Sequence, residues 1–179
     1  VATDDDAVTA WALAAGRGDR TALDRFVRAT QRDVWRLIAH LVGVVNADDL
    51  TQETFLRALR SLPSFEARST ARTWLLSIAR RTAVDHLRAQ RSRPPLSADE
   101  PVDAVDPRSG FEEVVAINLM LAALPADRRE ALLLTQVLGL SYAEAAEVCG
   151  CPVGTIRSRV ARGRDDLVRA RDQDATGTG

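Results

Sequence analysis

The chain has 179 residues, 46% hydrophobic and 27% charged, the composition of a globular protein with room for one ordinary domain or two small ones. Its formal net charge of -1 taken alone argues against a nucleic-acid partner. No apolar run approaches the roughly 20 residues that span a bilayer, and the acidic opening VATDDDAVTA is the opposite of a basic secretory signal, so a cytoplasmic location is expected.

Strand signals are absent and helical spacing recurs throughout, so the expected fold is all-α. The first few residues read as frayed. Over 22–42, Leu23, Phe26, Val27, Val34, Leu37, Ile38 and Leu41 form one apolar stripe. After a break from Gly43 to Ala47, Asp48 or Asn46 is placed to cap a helix that buries Leu50, Phe55, Leu59 and Leu62 and ends at Pro63. The polar loop SFEARST leads into a long helix from about Ala71 to Arg91, its buried side holding Trp74, Leu75, Ile78 and Leu87, with Pro94 and Pro95 as its stop. Residues 92–110 carry four Pro and no apolar periodicity, which marks a linker. The expected organisation is a helical domain over 8–93, a flexible acidic linker over 94–110 and a second helical domain over 111–171. Helices are predicted in the latter near 111–123, 127–138, 142–149 and 153–170, with a frayed tail after Arg171. Cys149 and Cys151 flank one glycine, a poor spacing for a structural disulfide and, without a neighbouring His, for zinc; they read as small turn residues, and no metal or cofactor is expected.

Charge is distributed unevenly. Residues 67–93 carry seven Arg against one Asp, and residues 153–171 six Arg against two Asp; between them, 94–113 carry one Arg against six acids. Every basic side chain is Arg. Arg suits bidentate contacts to phosphate and guanine, although Arg-only usage is equally what a GC-rich genome produces.

The strongest local motif lies at 141–168. Ser141 and Glu144 have the spacing of a capping box, AEAAEV follows as a short helix, and Cys149-Gly150-Cys151-Pro152 makes a turn. Gly150 is suited to the left-handed conformation and Pro152 to a helix start. In the next helix Val153, Ile156, Val160 and Leu167 share a buried face. Thr155, Ser158 and Arg162 then point outward, flanked by Arg157 and Arg159, and Gly154 permits close backbone approach. A tight turn before an Arg-rich helix is the pattern of a helix-turn-helix that reads a major groove. A second polar feature lies at 48–55, where Leu50 and Phe55 face inward and Asp49, Gln52 and Glu53 form one patch at i, i+3 and i+4.

DDLTQETFLRAL followed by ARTWLLSIARRTAVDHLR resembles region 2 of the extracytoplasmic function sigma factors of bacterial RNA polymerase, and ALPADRREALLLTQVLGLSYAEAAEVCGCPVGTIRSRVARGRDDL resembles their region 4. The likeness covers about 20–93 and 111–170 in the same order and spacing, and its flavour is that of the actinobacterial sigma-C-like subgroup. The resemblance implies a factor that directs promoter-specific initiation. Asp49, Leu50, Gln52, Glu53 and Phe55 would then dock on the clamp helices of the largest polymerase subunit. It implies that the loop 65–72 and the helix after it bind the opened -10 element, with a flipped base near Phe65, Arg68 and Ser69 and with Arg80, Arg81, Asp85, Arg88 and Arg91 along the strand. Thr155, Arg157, Ser158, Arg159 and Arg162 would read the -35 element, and the acidic linker would thread the polymerase cleft. Core RNA polymerase and promoter DNA are the implied partners, with an anti-sigma protein as a further candidate.

The chain departs from the family in -10 territory: Arg81 stands where Asn is usual, and Ala71 where an aromatic or Leu is frequent. Two other readings stay open at this point. One is a dimeric helix-turn-helix regulator acting without polymerase. The other is a small helical enzyme, for which there is no phosphate loop, nucleophile elbow or metal-ligand pair; His40 and His86 read as surface or cap residues.

Overall fold

The computed structural model describes residues 5–92 and 111–176, so the acidic linker expected over 94–110 lies outside the described residues. Among the described residues every regular element is helical. The chain divides into two compact units, one ending at Phe111 and the other beginning at Glu112.

The first unit contains α1 (Asp5–Gly16), α2 (Arg20–Val42), α3 (Ala47–Ser61) and α4 (Ala71–Ser92). α1 was not anticipated from the sequence, and its Val8 and Ala12 are fully buried; the first few residues, expected to be frayed, fall at 1–4, outside the described residues. Asp19 starts α2 by accepting hydrogen bonds from the Thr21 and Ala22 amides at 2.9 and 3.0 Å. Phe26, Val34, Leu37 and Ile38 form its buried stripe as predicted, while Leu23, Val27 and Leu41 are half-buried. His40, expected at the surface or at a cap, is buried in the last turn of α2.

α3 is seated by small residues. Ala47, Leu50, Thr54, Ala58 and the following Leu62 are buried, whereas Leu59, expected inside, is 40% exposed. Thr54 satisfies its hydroxyl on the Leu50 carbonyl at 2.7 Å, so a polar residue sits in the core without a stranded donor. The predicted side-chain cap is absent at Asn46. Asp48 instead accepts from Trp35 Nε1 at 3.0 Å and clips α3 to α2. α4 is fixed to α2 by Arg72, whose Nε lies 2.7 Å from Asp33 Oδ2.

The second unit contains α5 (Phe111–Leu121), α6 (Ala126–Leu132), α7 (Tyr142–Cys149) and α8 (Val153–Thr176). α6 widens into a π-helical turn over Leu133–Val137. α8 packs on α6 through Ile156, Val160 and Gly163, all buried. A Cβ on Gly163 would meet Leu132 Cδ1 at 2.9 Å, so the leucine side chain packs into the space this glycine leaves. Arg128 and Asp166 add an ion pair across the same seam. α8 continues to Thr176, which corrects the expectation of a frayed tail directly after Arg171.

Candidate functional site

Three surfaces carry the chemistry singled out in the sequence. The first is α3. Asp49 and Gln52 are exposed, Leu50 is buried and Phe55 half-buried. Glu53 Oε1 is held by Arg57 Nη2 at 2.5 Å, and the same guanidinium reaches Asp85 of α4 at 2.9 Å. The hydrogen bonds that Arg57 donates, to Asp85 first and then to Glu53, raise its pKa above the ordinary value. Two large apolar side chains, Leu56 and Leu59, stand 49% and 40% exposed on the same helix. The sequence reading missed Leu56, and its signal was an apolar residue off the buried stripe, beside the polar patch.

The second surface is the segment before α4. Ser64, Phe65, Glu66, Arg68, Ser69 and Trp74 line an open cleft of about 330 Å³, at the small end of the range for sites that hold a small planar ligand. Phe65 and Trp74 face each other with ring centroids 4.8 Å apart and planes tilted by 40°. Trp74, placed in the core from the sequence, is therefore a wall of the cleft. Helical side chains lean toward the N-terminus, and from the first turn of α4 that lean carries the indole over the preceding loop. Arg68 Nη2 pairs with Glu66 Oε2 at 2.6 Å, both side chains being largely exposed. Between them Ala67 has φ 53°, a left-handed conformation that disfavours a residue with a Cβ and is common at ligand-binding segments. Along α4, Arg81, Asp85, Arg88 and Arg91 are exposed and Arg80 is half-buried.

The third surface is the helix-turn-helix. The predicted capping box is present: Glu144 N donates to Ser141 Oγ at 3.2 Å, and Ser141 N to Glu144 Oε2 at 2.8 Å. Gly150 closes α7 with φ 64° and ψ 41°, the left-handed cap that glycine supplies without steric cost. On α8, Arg157, Ser158 and Arg162 are exposed and Thr155 is half-buried. Arg159 is different, its Nε lying 3.2 Å from Asp127 of α6 with the side chain 27% exposed. Val153, predicted inside, is 40% exposed. Apart from its chain neighbours and the backbone of its own helix, no atom lies within 4 Å of where a Cβ would sit on Gly154, so packing in this unit does not itself require that glycine. Among the described residues no group of His, Cys, Asp and Glu is arranged to hold a metal ion, and no helix is long and apolar enough to cross a membrane.

Comparison with known proteins matches these surfaces to a family. The Sigma-70 region 2 family model matches residues 26–93, and the Sigma-70, region 4 model residues 115–167. The chain is 58% identical over 181 residues to the ECF RNA polymerase sigma factor SigC of Mycobacterium tuberculosis, with 98% of each chain covered. The chain belongs to the extracytoplasmic function sigma factors. Solved structures agree with this membership. CnrH in complex with the cytosolic domain of CnrY superposes with TM-score 0.74 at 25% identity, covering 94% of this chain and 99% of that one. The sigma factor RpoE in complex with the anti-sigma factor NepR from Bartonella quintana gives TM-score 0.63 at 29% identity, covering 81% and 93%. As an ECF sigma factor the protein directs promoter-specific initiation by RNA polymerase, its region 2 spanning α3, the cleft and α4, and its region 4 carrying the helix-turn-helix. Membership sets aside the dimeric regulator, since a sigma factor acts with core polymerase and promoter DNA.

Proposed function

We propose that this ECF sigma factor divides its contacts among the three surfaces. The exposed face of α3, with Asp49 and Gln52 flanked by Leu56 and Leu59, docks the clamp helices of polymerase. The cleft before α4 captures one base of the opened -10 strand against the paired rings of Phe65 and Trp74. Arg81, Arg88 and Arg91 hold the adjoining backbone, and Arg157, Ser158 and Arg162 read the -35 duplex. The observation that carries this reading is the half-buried aromatic pair lining an open cleft beside Arg68 and Ser69.

Energetically the division is reasonable. Separating a base from its neighbours costs about 1.4 kcal/mol per stacking step, and stacking one base on an aromatic side chain returns about 1–3 kcal/mol. A single captured base can therefore offset the opening of the step beside it, and arginines on the backbone favour the open strand further. The chain supplies recognition and no bond-making chemistry, so it acts as a non-enzymatic factor, in the cytoplasm where polymerase is found. An anti-sigma protein is a fitting further partner, as RpoE of Bartonella quintana is seen with NepR.

The test is a forked promoter bound by the full chain with core polymerase, each -10 base in turn replaced by 2-aminopurine. One position is expected to brighten as its base leaves the stack, and Phe65→Ala is expected to abolish that signal while core polymerase binding persists. Brightening unaffected by Phe65→Ala contradicts the assignment of the cleft.

A further inference from the structure

α1 spans Asp5–Gly16 and precedes the residues matched by the region 2 family model. It touches the chain on both sides of the cleft-forming segment, at Ala71 after it and at Leu62 and Pro63 before it. Near the first end, Thr9 Oγ1 donates to the Asp5 carbonyl at 2.7 Å and accepts from the backbone amide of Ala71 at 3.0 Å. Ala71 opens α4 and is fully buried. Its amide is one of the N-terminal donors that a helix cannot satisfy internally, and burial denies it water. Two further donors of that turn are met locally: Thr73 N bonds Thr70 Oγ1 at 3.2 Å, and Trp74 N bonds the Thr70 carbonyl at 3.0 Å. The Ala71 amide thus relies on a hydroxyl from another helix, three residues before Trp74.

At its other end α1 lies against the backbone that leads into the cleft. A Cβ on Gly16 would sit 2.6 Å from the Leu62 carbonyl oxygen and 3.6 Å from Pro63 Cα. The obstruction is backbone, which cannot swing aside. That same Leu62 carbonyl accepts from Phe65 N at 3.1 Å and so sets where the Phe65 ring begins. One helix therefore fixes the backbone under Trp74 through Thr9 and the backbone under Phe65 through Gly16.

We propose that α1 is a brace for the base-capture cleft, with Thr9 and Gly16 as positioning residues that set the separation of the Phe65 and Trp74 rings. The inference rests on reading the cleft as the base-capture site. Its consequence is that promoter opening responds to residues that touch neither DNA nor polymerase.

The experiment uses the full chain with core polymerase on the 2-aminopurine fork. Thr9→Val keeps the shape of the side chain and removes its hydroxyl, Thr9→Ser restores the hydroxyl, and Gly16→Ala adds the obstructing carbon. Thr9→Val is expected to lower base-capture affinity about tenfold, the scale of one buried donor left unpaired, and Gly16→Ala, whose added carbon forces the backbone at Leu62 aside, to lower it by about as much. Thr9→Ser is expected to retain wild-type capture, and core polymerase affinity to stay within about twofold in all three variants. Phe65→Ala run alongside separates the two claims. A signal that survives Phe65→Ala overturns the base-capture reading and the brace with it. A signal lost in Phe65→Ala but intact in Thr9→Val and Gly16→Ala overturns the brace alone, as does a Thr9→Val variant whose thermal stability, core binding and base capture fall in parallel.

Discussion

Arg157 and Arg159 lie on the same recognition helix, yet they are expected to contribute unequally to -35 binding. Arg157 is exposed, and removing a guanidinium that reads a base edge costs about 1–3 kcal/mol, with loss of preference at one position. Arg159 begins from a different state, 3.2 Å from Asp127, with the side chains 27% and 50% exposed. To reach DNA it must leave that partner, and a partly exposed ion pair is worth about 0.2–1 kcal/mol. Its net contribution is smaller by that amount. Arg159→Ala should therefore weaken binding less than Arg157→Ala, and Asp127→Asn, by freeing Arg159, should tighten binding by up to about fivefold at low salt. The assay is titration of the -35 duplex by holoenzyme across a salt series, repeated with single base substitutions. A specificity change at one position marks a base contact, and a uniform loss with a salt slope reduced by about one marks a phosphate contact. A loss in Arg159→Ala as large as in Arg157→Ala, or weaker binding by Asp127→Asn, would refute the unequal roles of the two arginines.

Three other outcomes follow from the same geometry. Changing Asp49 and Gln52 together to Ala should weaken core polymerase binding without changing the unfolding temperature, and adding Leu56→Ala should cost about 1 kcal/mol more, since roughly half of that side chain is available to be buried on docking; unchanged affinity for the triple variant would remove α3 from the docking surface. Gly154→Ala fills open space and should stabilise α8 by about 0.4–1 kcal/mol while weakening -35 binding; unfolding and titration of the same sample check both halves, and affinity equal to wild type excludes close backbone approach there. Ser141→Ala removes the hydroxyl of the capping box and should destabilise the second unit by about 1 kcal/mol, read by chemical denaturation; an unchanged midpoint contradicts the role given to that cap.

The elements with local chemistry were legible in the sequence. The Ser141–Glu144 box, Gly150 and the stripe of Phe26, Val34, Leu37 and Ile38 each depend on residues near one another in the chain, and each is found as read. The misreadings share a cause: hydrophobicity was used to judge burial where size decided it. α3 packs on Ala47, Thr54 and Ala58 because small side chains let helices approach, and this turns Leu56 and Leu59 outward. Gly163 belongs to the buried face of α8 for the same reason, while Val153 sits at the free end of that helix. α1 went unread because its buried face rests on Val8 and Ala12, too slight a pattern among so many alanines. Trp74 shows a different limit. Its position in the helix was right, but the direction of its ring depended on the loop that carries Phe65, and the reach of a side chain beyond its own helix is a tertiary property. Arg57 shows the same limit, pairing with Glu53 one turn away and with Asp85, 28 residues further along the chain.

Runoff transcription with core polymerase lacking its own specificity subunit, run over a pool of genomic fragments with start sites mapped, addresses the central claim most directly. Discrete starts are predicted, each preceded by two short elements at near-constant spacing, with the upstream one losing a position of preference in Arg157→Ala and the downstream one in Phe65→Ala. Absence of initiation, or starts whose two elements respond to neither substitution, would contradict the account.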